Sequence, residues 1–226
     1  VDKVVNGEKN ILWPGKPLYF AKTSGTTSGA KYIPITKESI KTHVNSARDA
    51  LLNYFLKTKN YKLINGKHMF LQGSPVLSKK NGVFIGRLSG ISAHYIPKLF
   101  LKNRKPSWET NCIEDWEEKV DKIIKETVGE KMTIIAGIPS WVQMYFEKIV
   151  LDTQKSISEV FPNLSLYVYG GVSYEPYRST FNKLFGKKID TLATFPASEG
   201  FFGYQDTFQE GETDLLLLLN NGIFYE

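Results

Sequence analysis

Residues 23–31, Thr23-Ser24-Gly25-Thr26-Thr27-Ser28-Gly29-Ala30-Lys31, place hydroxyl side chains, two glycines and a lysine directly behind the apolar, strand-like Tyr19-Phe20-Ala21. Those residue types suit a polyphosphate. Glycines let backbone N–H groups turn toward an anion, Ser and Thr hydroxyls add donors, and Lys31 supplies a compact positive charge. The spacing is not that of a Walker loop, which needs four residues between its glycines and then Gly-Lys-Ser/Thr. Here three residues separate Gly25 from Gly29, Ala30 precedes Lys31 and Tyr32 follows, so the ordinary kinase or GTPase reading fails. A plain Ser/Thr/Gly surface loop is the competing reading of the same residues.

Two further places are candidates because ligands of open α/β sheets collect beyond the carboxyl ends of strands. At Tyr169-Gly170-Gly171-Val172, paired glycines would let a planar ring lie against the backbone; a tight strand-to-helix turn is the alternative. At Phe195-Pro196-Ala197-Ser198-Glu199-Gly200, a carboxylate follows a strand within a turn of small residues. Glu199 there is suited to Mg²⁺ beside phosphates, since that ion takes few protein ligands and prefers carboxylate oxygen. A solvated loop acid is the other reading.

With 226 residues the chain can bury one substantial core without disulfide or metal staples. Its 42% apolar, 23% charged and 13% aromatic content is that of an ordinary folded protein. The formal charge of +6 suits an anionic ligand, but the basic residues are scattered and no dense run points to nucleic acid. Cys112 is the single cysteine, which excludes an internal disulfide or a Cys-rich zinc site and suits a reducing, cytoplasmic setting. His43, His68 and His94 are too dispersed for a metal motif and read as surface or core-edge histidines. The hydrocarbon run Leu215-Leu216-Leu217-Leu218-Leu219 is far too short for a bilayer and reads as a buried strand. The chain opens on Val1 without a secretory leader and is read as a piece of a longer protein.

The elements needed to hold these candidates follow from periodicity. Residues 32–35 read as extended, and Thr36 caps a helix with Ile40, Val44, Ala47, Leu51 and Phe55 at helical spacing. The phosphate-gripping segment thus falls between two short strands. Residues 68–71 form a short strand, and the glycine-containing stretch 73–90 reads as loop or lid. Ile113, Trp116, Val120, Ile123 and Thr127 mark a second helix, followed by a strand at 133–136 and a helix over 140–151. A strand at 164–169, a helix at 174–185 and a strand at 189–194 continue the alternation, which predicts a largely parallel sheet covered by helices. Strands at 201–204, 214–219 and 223–225, the last two joined at Asn220-Asn221-Gly222, add a smaller antiparallel element toward the C-terminus. The fold class is α/β, with residues 1–226 as one domain.

Five segments in this order resemble a known family: residues 23–31; Trp13-Pro14-Gly15-Lys16; Ala136-Gly137-Ile138-Pro139-Ser140-Trp141; the run from Tyr169 to Arg178; and Ala197-Ser198-Glu199-Gly200-Phe201-Phe202-Gly203. Together they are similar to the plant auxin-responsive acyl acid-amido synthetases, the Gretchen Hagen family, and especially to its bacterial relatives. The resemblance covers nearly the whole chain. It implies an adenylate-forming ligase that joins ATP and a carboxylic acid into an acyl adenylate, releases pyrophosphate, and passes the acyl group to an amine such as an amino acid.

By position, the resemblance implies that Ser24, Gly25, Thr26, Thr27, Ser28, Gly29 and Lys31 match the phosphate loop. Gly170, Gly171 and Val172 match the segment beside adenine, and Ser198 and Glu199 the segment whose acid meets nucleotide and Mg²⁺. Phe195 stands where the family usually has an adenine-stacking tyrosine, keeping the ring face and losing the hydroxyl. Ile138, Pro139 and Trp141 fall near the acyl pocket. Lys31 and Glu199 are the catalytic expectations, ATP and Mg the cofactors, and a small carboxylic acid and an amine acceptor the partners, with no nucleic acid and no membrane. The chain is then most of the N-terminal nucleotide-binding domain of a longer enzyme, whose further motif and mobile C-terminal domain lie beyond it. A nucleotide-binding or interaction domain without the chemistry is the competing class.

Overall fold

The computed structural model describes residues 1–23, 31–96, 98–209 and 214–225. Its strands are β1 Tyr19–Thr23, β2 Lys31–Ile35, β3 Lys67–Leu71, β4 Ser78–Lys80, β5 Val83–Gly86, β6 Arg104–Lys105, β7 Met132–Gly137, β8 Leu166–Gly170, β9 Asp190–Ala197, β10 Gly200–Gln205 and β11 Leu215–Leu217. The helices are α1 Asp2–Val5, α2 Lys37–Thr58, α3 Leu88–Ala93, α4 Lys98–Leu101, α5 Trp108–Asn111, α6 Trp116–Thr127, α7 Pro139–Thr153, α8 Ile157–Val160 and α9 Glu175–Phe185. The fold is mixed α/β, as the alternation predicts.

Seven strands form the main sheet in the order β11-β10-β9-β8-β7-β3-β6. The pairs from β6 to β9 are parallel, and β10 and β11 add antiparallel. Parallel strands need covering on both faces, and the alternation of side chains along them says which helices do it. Met132, Ile135, Tyr167 and Ala193 face one way, into a core with α6, α7 and α9. Ile134, Leu166 and Leu192 face the other way, toward Ala50 and Tyr54 of α2.

Local signals set the helix ends. Thr36 Oγ1 accepts from Ser39 N at 3.1 Å while Ser39 Oγ accepts from Thr36 N at 3.0 Å, a reciprocal cap that fixes the start of α2 as expected. Asp115 caps α6 through Glu118 N at 2.8 Å, and Pro139 opens α7, where its missing N–H costs nothing. Among the described residues no helix is long and apolar enough to cross a membrane.

Four expectations need correction. The stretch 73–90 is not simply a loop, because it contains β4 and β5, which join β1 and β2 in a separate sheet ordered β2-β1-β5-β4. Asn81 and Gly82, both at positive φ, make the tight turn between β4 and β5. The buried stripe of α2 is Ile40, His43, Ser46, Ala50 and Tyr54, displaced from the apolar positions 44, 47, 51 and 55, because hydrogen bonds as well as apolar contact hold this helix. Residues 215–217 form a strand, but an exposed one at the end of the sheet, where among the described residues β10 is its one ladder partner and Leu215, Leu216 and Leu217 are 40–49% exposed. Residues 223–225 form no strand; the Asn221 side chain ties the chain there to α2 and β10 instead.

Candidate functional site

Three successive strands of the main sheet deliver candidate residues to one edge. β7 ends at Gly137 and is followed by Ile138, β8 ends at Gly170 and is followed by Gly171 and Val172, and β9 carries Phe195 just before its end at Ala197. Parallel pairing brings these ends side by side. The place a Cβ would occupy on Gly171 is 3.8 Å from Ile138 Cγ1, and on Gly170 it is 3.2 Å from Pro196 Cδ.

The two glycines do different work. A side chain on Gly170 would meet Thr194 O at 2.6 Å and Thr194 Oγ1 at 2.7 Å, so the neighbouring strand demands the glycine. Thr194 uses the same approach to donate from Oγ1 to Tyr169 O at 2.9 Å. Gly171 has φ +84 and, among the described residues, only Ile138 near its bare face, which leaves backbone open to a flat ligand. Around it stand three exposed apolar side chains, Ile138 at 36%, Val172 at 48% and Phe195 at 51%. Phe195 leans on Phe202 with ring centroids 5.3 Å apart. An apolar, partly open shelf with bare backbone in its middle fits an aromatic ring.

Beside the shelf, Ser198 and Glu199 form the two-residue turn between β9 and β10. Glu199 is exposed, and among the described residues its carboxylate has no hydrogen-bond or ion-pair partner. No group of three or more His, Cys, Asp or Glu there is arranged to hold a metal by itself. A single unengaged carboxylate is a donor set that fits Mg²⁺ shared with phosphates and water, and does not fit a protein-only metal cage.

Below the shelf the polar groups are engaged. Tyr169 and Tyr174 stack at 4.8 Å, and the Arg178 guanidinium lies over the Tyr174 ring while pairing with Glu175. Burial raises both phenols above their ordinary range. The hydrogen bond from Arg178 holds the exposed Glu175 carboxyl below the usual carboxylate range. These groups brace the start of α9.

Lys31 is the exposed first residue of β2 and pairs across the ladder with Thr23 at the end of β1. The sequence candidates Ser24, Gly25, Thr26, Thr27, Ser28 and Gly29 lie outside the described residues. Their flanks are placed, however. β2 runs through Ile35 into the Thr36 cap of α2, and the second turn of α2 touches Ala197 beside Ser198 and Glu199. Tyr54 near the far end of α2 bonds Asp190 at the start of β9, so the helix runs antiparallel to β9 and begins at the carboxyl edge. Lys31 is thus separated from the Thr36 cap by the length of β2, about 13–17 Å.

Pro139 is buried in the first turn of α7, and Trp141 meets Trp116 in a tilted ring contact at 4.8 Å and packs against the core. Of the three residues expected near an acyl pocket, Ile138 alone presents an exposed side chain at this edge. The sequence reading missed His43. It is 4% exposed, and its Nε2 lies 2.9 Å from Ala197 O. Its signal is its position, three residues after Ile40 on the buried stripe of α2.

A family model described as the GH3 family N-terminal domain matches residues 1–107 and 102–189. Among solved structures, the chain is similar to the AtGH3.15 acyl acid amido synthetase in complex with 2,4-DB, at 12% identity and TM-score 0.69 over 92% of this chain and 46% of that one. It is likewise similar to a second GH3.15 acyl acid amido synthetase structure, at 13% identity and TM-score 0.66 over 95% of this chain and 46% of the other. The chain spans just under half the length of each, and no curated protein sequence matches it. With most of its length matched by that model of the family's N-terminal domain and its fold shared with those synthetases, the chain belongs to the GH3 family.

Proposed function

We propose that this chain is most of the nucleotide-binding domain of an adenylating ligase, which activates a carboxylic acid with ATP and then transfers the acyl group to an amine such as an amino acid. The observation that carries the reading is the shelf of Ile138, Val172 and Phe195 around the open backbone of Gly171, with the unengaged Glu199 beside it. Family membership supports the same chemistry.

In that reaction an oxygen of the acid's carboxylate attacks the α-phosphorus, the bond from that phosphorus to the bridging oxygen breaks, and pyrophosphate leaves. No protein nucleophile is needed, so the chain's residues act by holding two anions in line and offsetting charge. Phe195 and Val172 would sandwich the base against Gly171. Lys31 and the donors of residues 24–29 would hold the outer phosphates. Glu199 and Ser198 would stand at the phosphate side of the base, and a magnesium ion held by Glu199 would supply charge compensation to the phosphates. The acid would extend from the α-phosphate toward Ile138, on the β7 side.

Binding of Mg-ATP to the 226-residue chain, measured by calorimetry, tests the reading. Lys31→Ala and Glu199→Ala are each expected to weaken binding roughly tenfold to a hundredfold, the scale of a lost charge-assisted contact, with unchanged melting temperature. Equal affinity in wild type and both variants would refute the assigned roles.

A further inference from the structure

His43 is the one histidine of the chain that is buried, and its ring spans two elements. Nδ1 lies 2.8 Å from Ser39 O, the carbonyl one turn back on its own helix, and Nε2 lies 2.9 Å from Ala197 O, 154 residues away. Ala197 ends β9 and directly precedes Ser198 and Glu199. On the other side, α2 follows β2 after the single capping residue Thr36, and β2 follows residues 24–30. One imidazole therefore connects the element leading out of the phosphate-gripping segment to the turn that bears Glu199.

A ring with its proton on Nε2, whether neutral or doubly protonated, donates to Ala197 O; with the proton on Nδ1 alone, a nitrogen lone pair would face that oxygen. Nδ1 faces Ser39 O in the same way, so a neutral ring donates to one of the two carbonyls and a doubly protonated ring to both; the donor at Nε2 is part of the proposal. A second tie lies one helical turn further along α2, where Asn221 Nδ2 donates to Phe201 O at 2.7 Å and to Ser46 Oγ at 3.1 Å. This second tie holds β10 to the helix independently, so losing the His43 contact frees the turn and not the hairpin.

We propose that His43 is a positioning residue: by donating from Nε2 to Ala197 O it sets the β9–β10 turn against α2, and so fixes Glu199 relative to α2 and the strand β2 that leads into it. The proposal rests on the nucleotide-site reading above. A buried filler would need the ring's volume, whereas a positioning role needs the donor at the Nε2 place, and two amide substitutions separate these requirements. In His43→Gln the side-chain NH₂ reaches the place of Nε2; in His43→Asn it reaches the place of Nδ1.

The experiment measures Mg-ATP affinity, melting temperature and amide hydrogen exchange at Gly200 for wild type, His43→Gln and His43→Asn. The expected result is roughly five- to tenfold weaker binding in His43→Asn, the effect of one hydrogen bond, with faster exchange at Gly200 and both restored toward wild type in His43→Gln. Should His43→Asn fail to fold, His43→Met, of similar length and without a donor, takes its place against His43→Gln. Indistinguishable affinity and Gly200 exchange in the donor-retaining and donor-lacking variants would overturn the proposal. If wild type itself binds no Mg-ATP, the nucleotide reading fails, and Gly200 exchange still decides: faster without the donor upholds the role of His43, equal rates refute it.

Discussion

The helices on the two faces of the main sheet are packed by different means. α7 presents Val142, Tyr145, Phe146 and Ile149 to its face, all buried, and Phe146 meets Phe181 and Phe185 with ring centroids 5.8 and 5.5 Å away. α2 presents Ile40, His43, Ser46, Ala50 and Tyr54, and three of those five side chains reach their partners through hydrogen bonds. Apolar packing contributes roughly 1.5–3 kcal/mol for each fully buried large side chain but is non-directional. A hydrogen bond contributes less and specifies which atom meets which. On this comparison the α7 face supplies stability, and the α2 face aligns the strand pair around residues 24–30 with the turn that carries Glu199.

Removing the ring of Phe146 should break the comparison most severely if both faces were alike. Phe146→Ala is expected to cost about 3–5 kcal/mol in urea denaturation, because a fully buried ring leaves a cavity among Tyr145, Phe181 and Phe185. Nucleotide affinity of the molecules that remain folded should be unchanged. A smaller loss is expected on the opposite face from Tyr54→Phe, which deletes the 2.6 Å hydrogen bond to Asp190 Oδ2 and keeps the ring against Phe208. About 1–2 kcal/mol by the same measurement is the prediction; a loss matching Phe146→Ala would mean the two faces are not distinguished as claimed.

The smallest effect is a pH slope. His68 lies on the α2 face, its Nε2 3.0 Å from Leu63 O, and burial pushes its imidazole below the ordinary value. As pH falls below about 6.5 the unfolded chain therefore takes up a proton before the folded chain does, and stability is lost on acidification. One proton sets an upper limit of about 1.4 kcal/mol per pH unit, and partial exposure of the ring reduces it. His68→Gln retains a donor and cannot titrate, so it should flatten the slope between pH 5.5 and 7.5 in denaturant melts; an unchanged slope would assign it to other groups.

The same contrast explains what the sequence disclosed. Val120, Ile123, Tyr167 and Phe181 lie in apolar runs or helical stripes that announce α6, β8 and α9, because apolar burial leaves a periodic trace. The α2 seam leaves none, since His43, Ser46 and Tyr54 are polar and their partners Ala197, Asn221 and Asp190 are 136–175 residues distant. The five-leucine run shows a limit of composition: its hydrophobicity indicates a strand and says nothing of what covers it. Of the sheet of β1, β2, β4 and β5, the first two were legible as extended runs, whereas β4 and β5 were read as loop although Asn81-Gly82, between the exposed Lys79-Lys80 and the buried Val83, is a strong hairpin signal. At the candidate site, the open face of Gly171 and the clash that requires Gly170 depend on the neighbouring strands, so the two adjacent glycines look alike in sequence and differ in structure.

Hydrogen–deuterium exchange of the chain with and without Mg-ATP tests the central claim most directly, because it reports where a nucleotide sits. Slowed exchange at Gly171 and Val172 and at Ser198, Glu199 and Gly200, with β4 and β5 unchanged, is the predicted result. Saturating Mg-ATP that slows none of these amides, or protects a region away from the carboxyl edge of β7, β8 and β9, would contradict it.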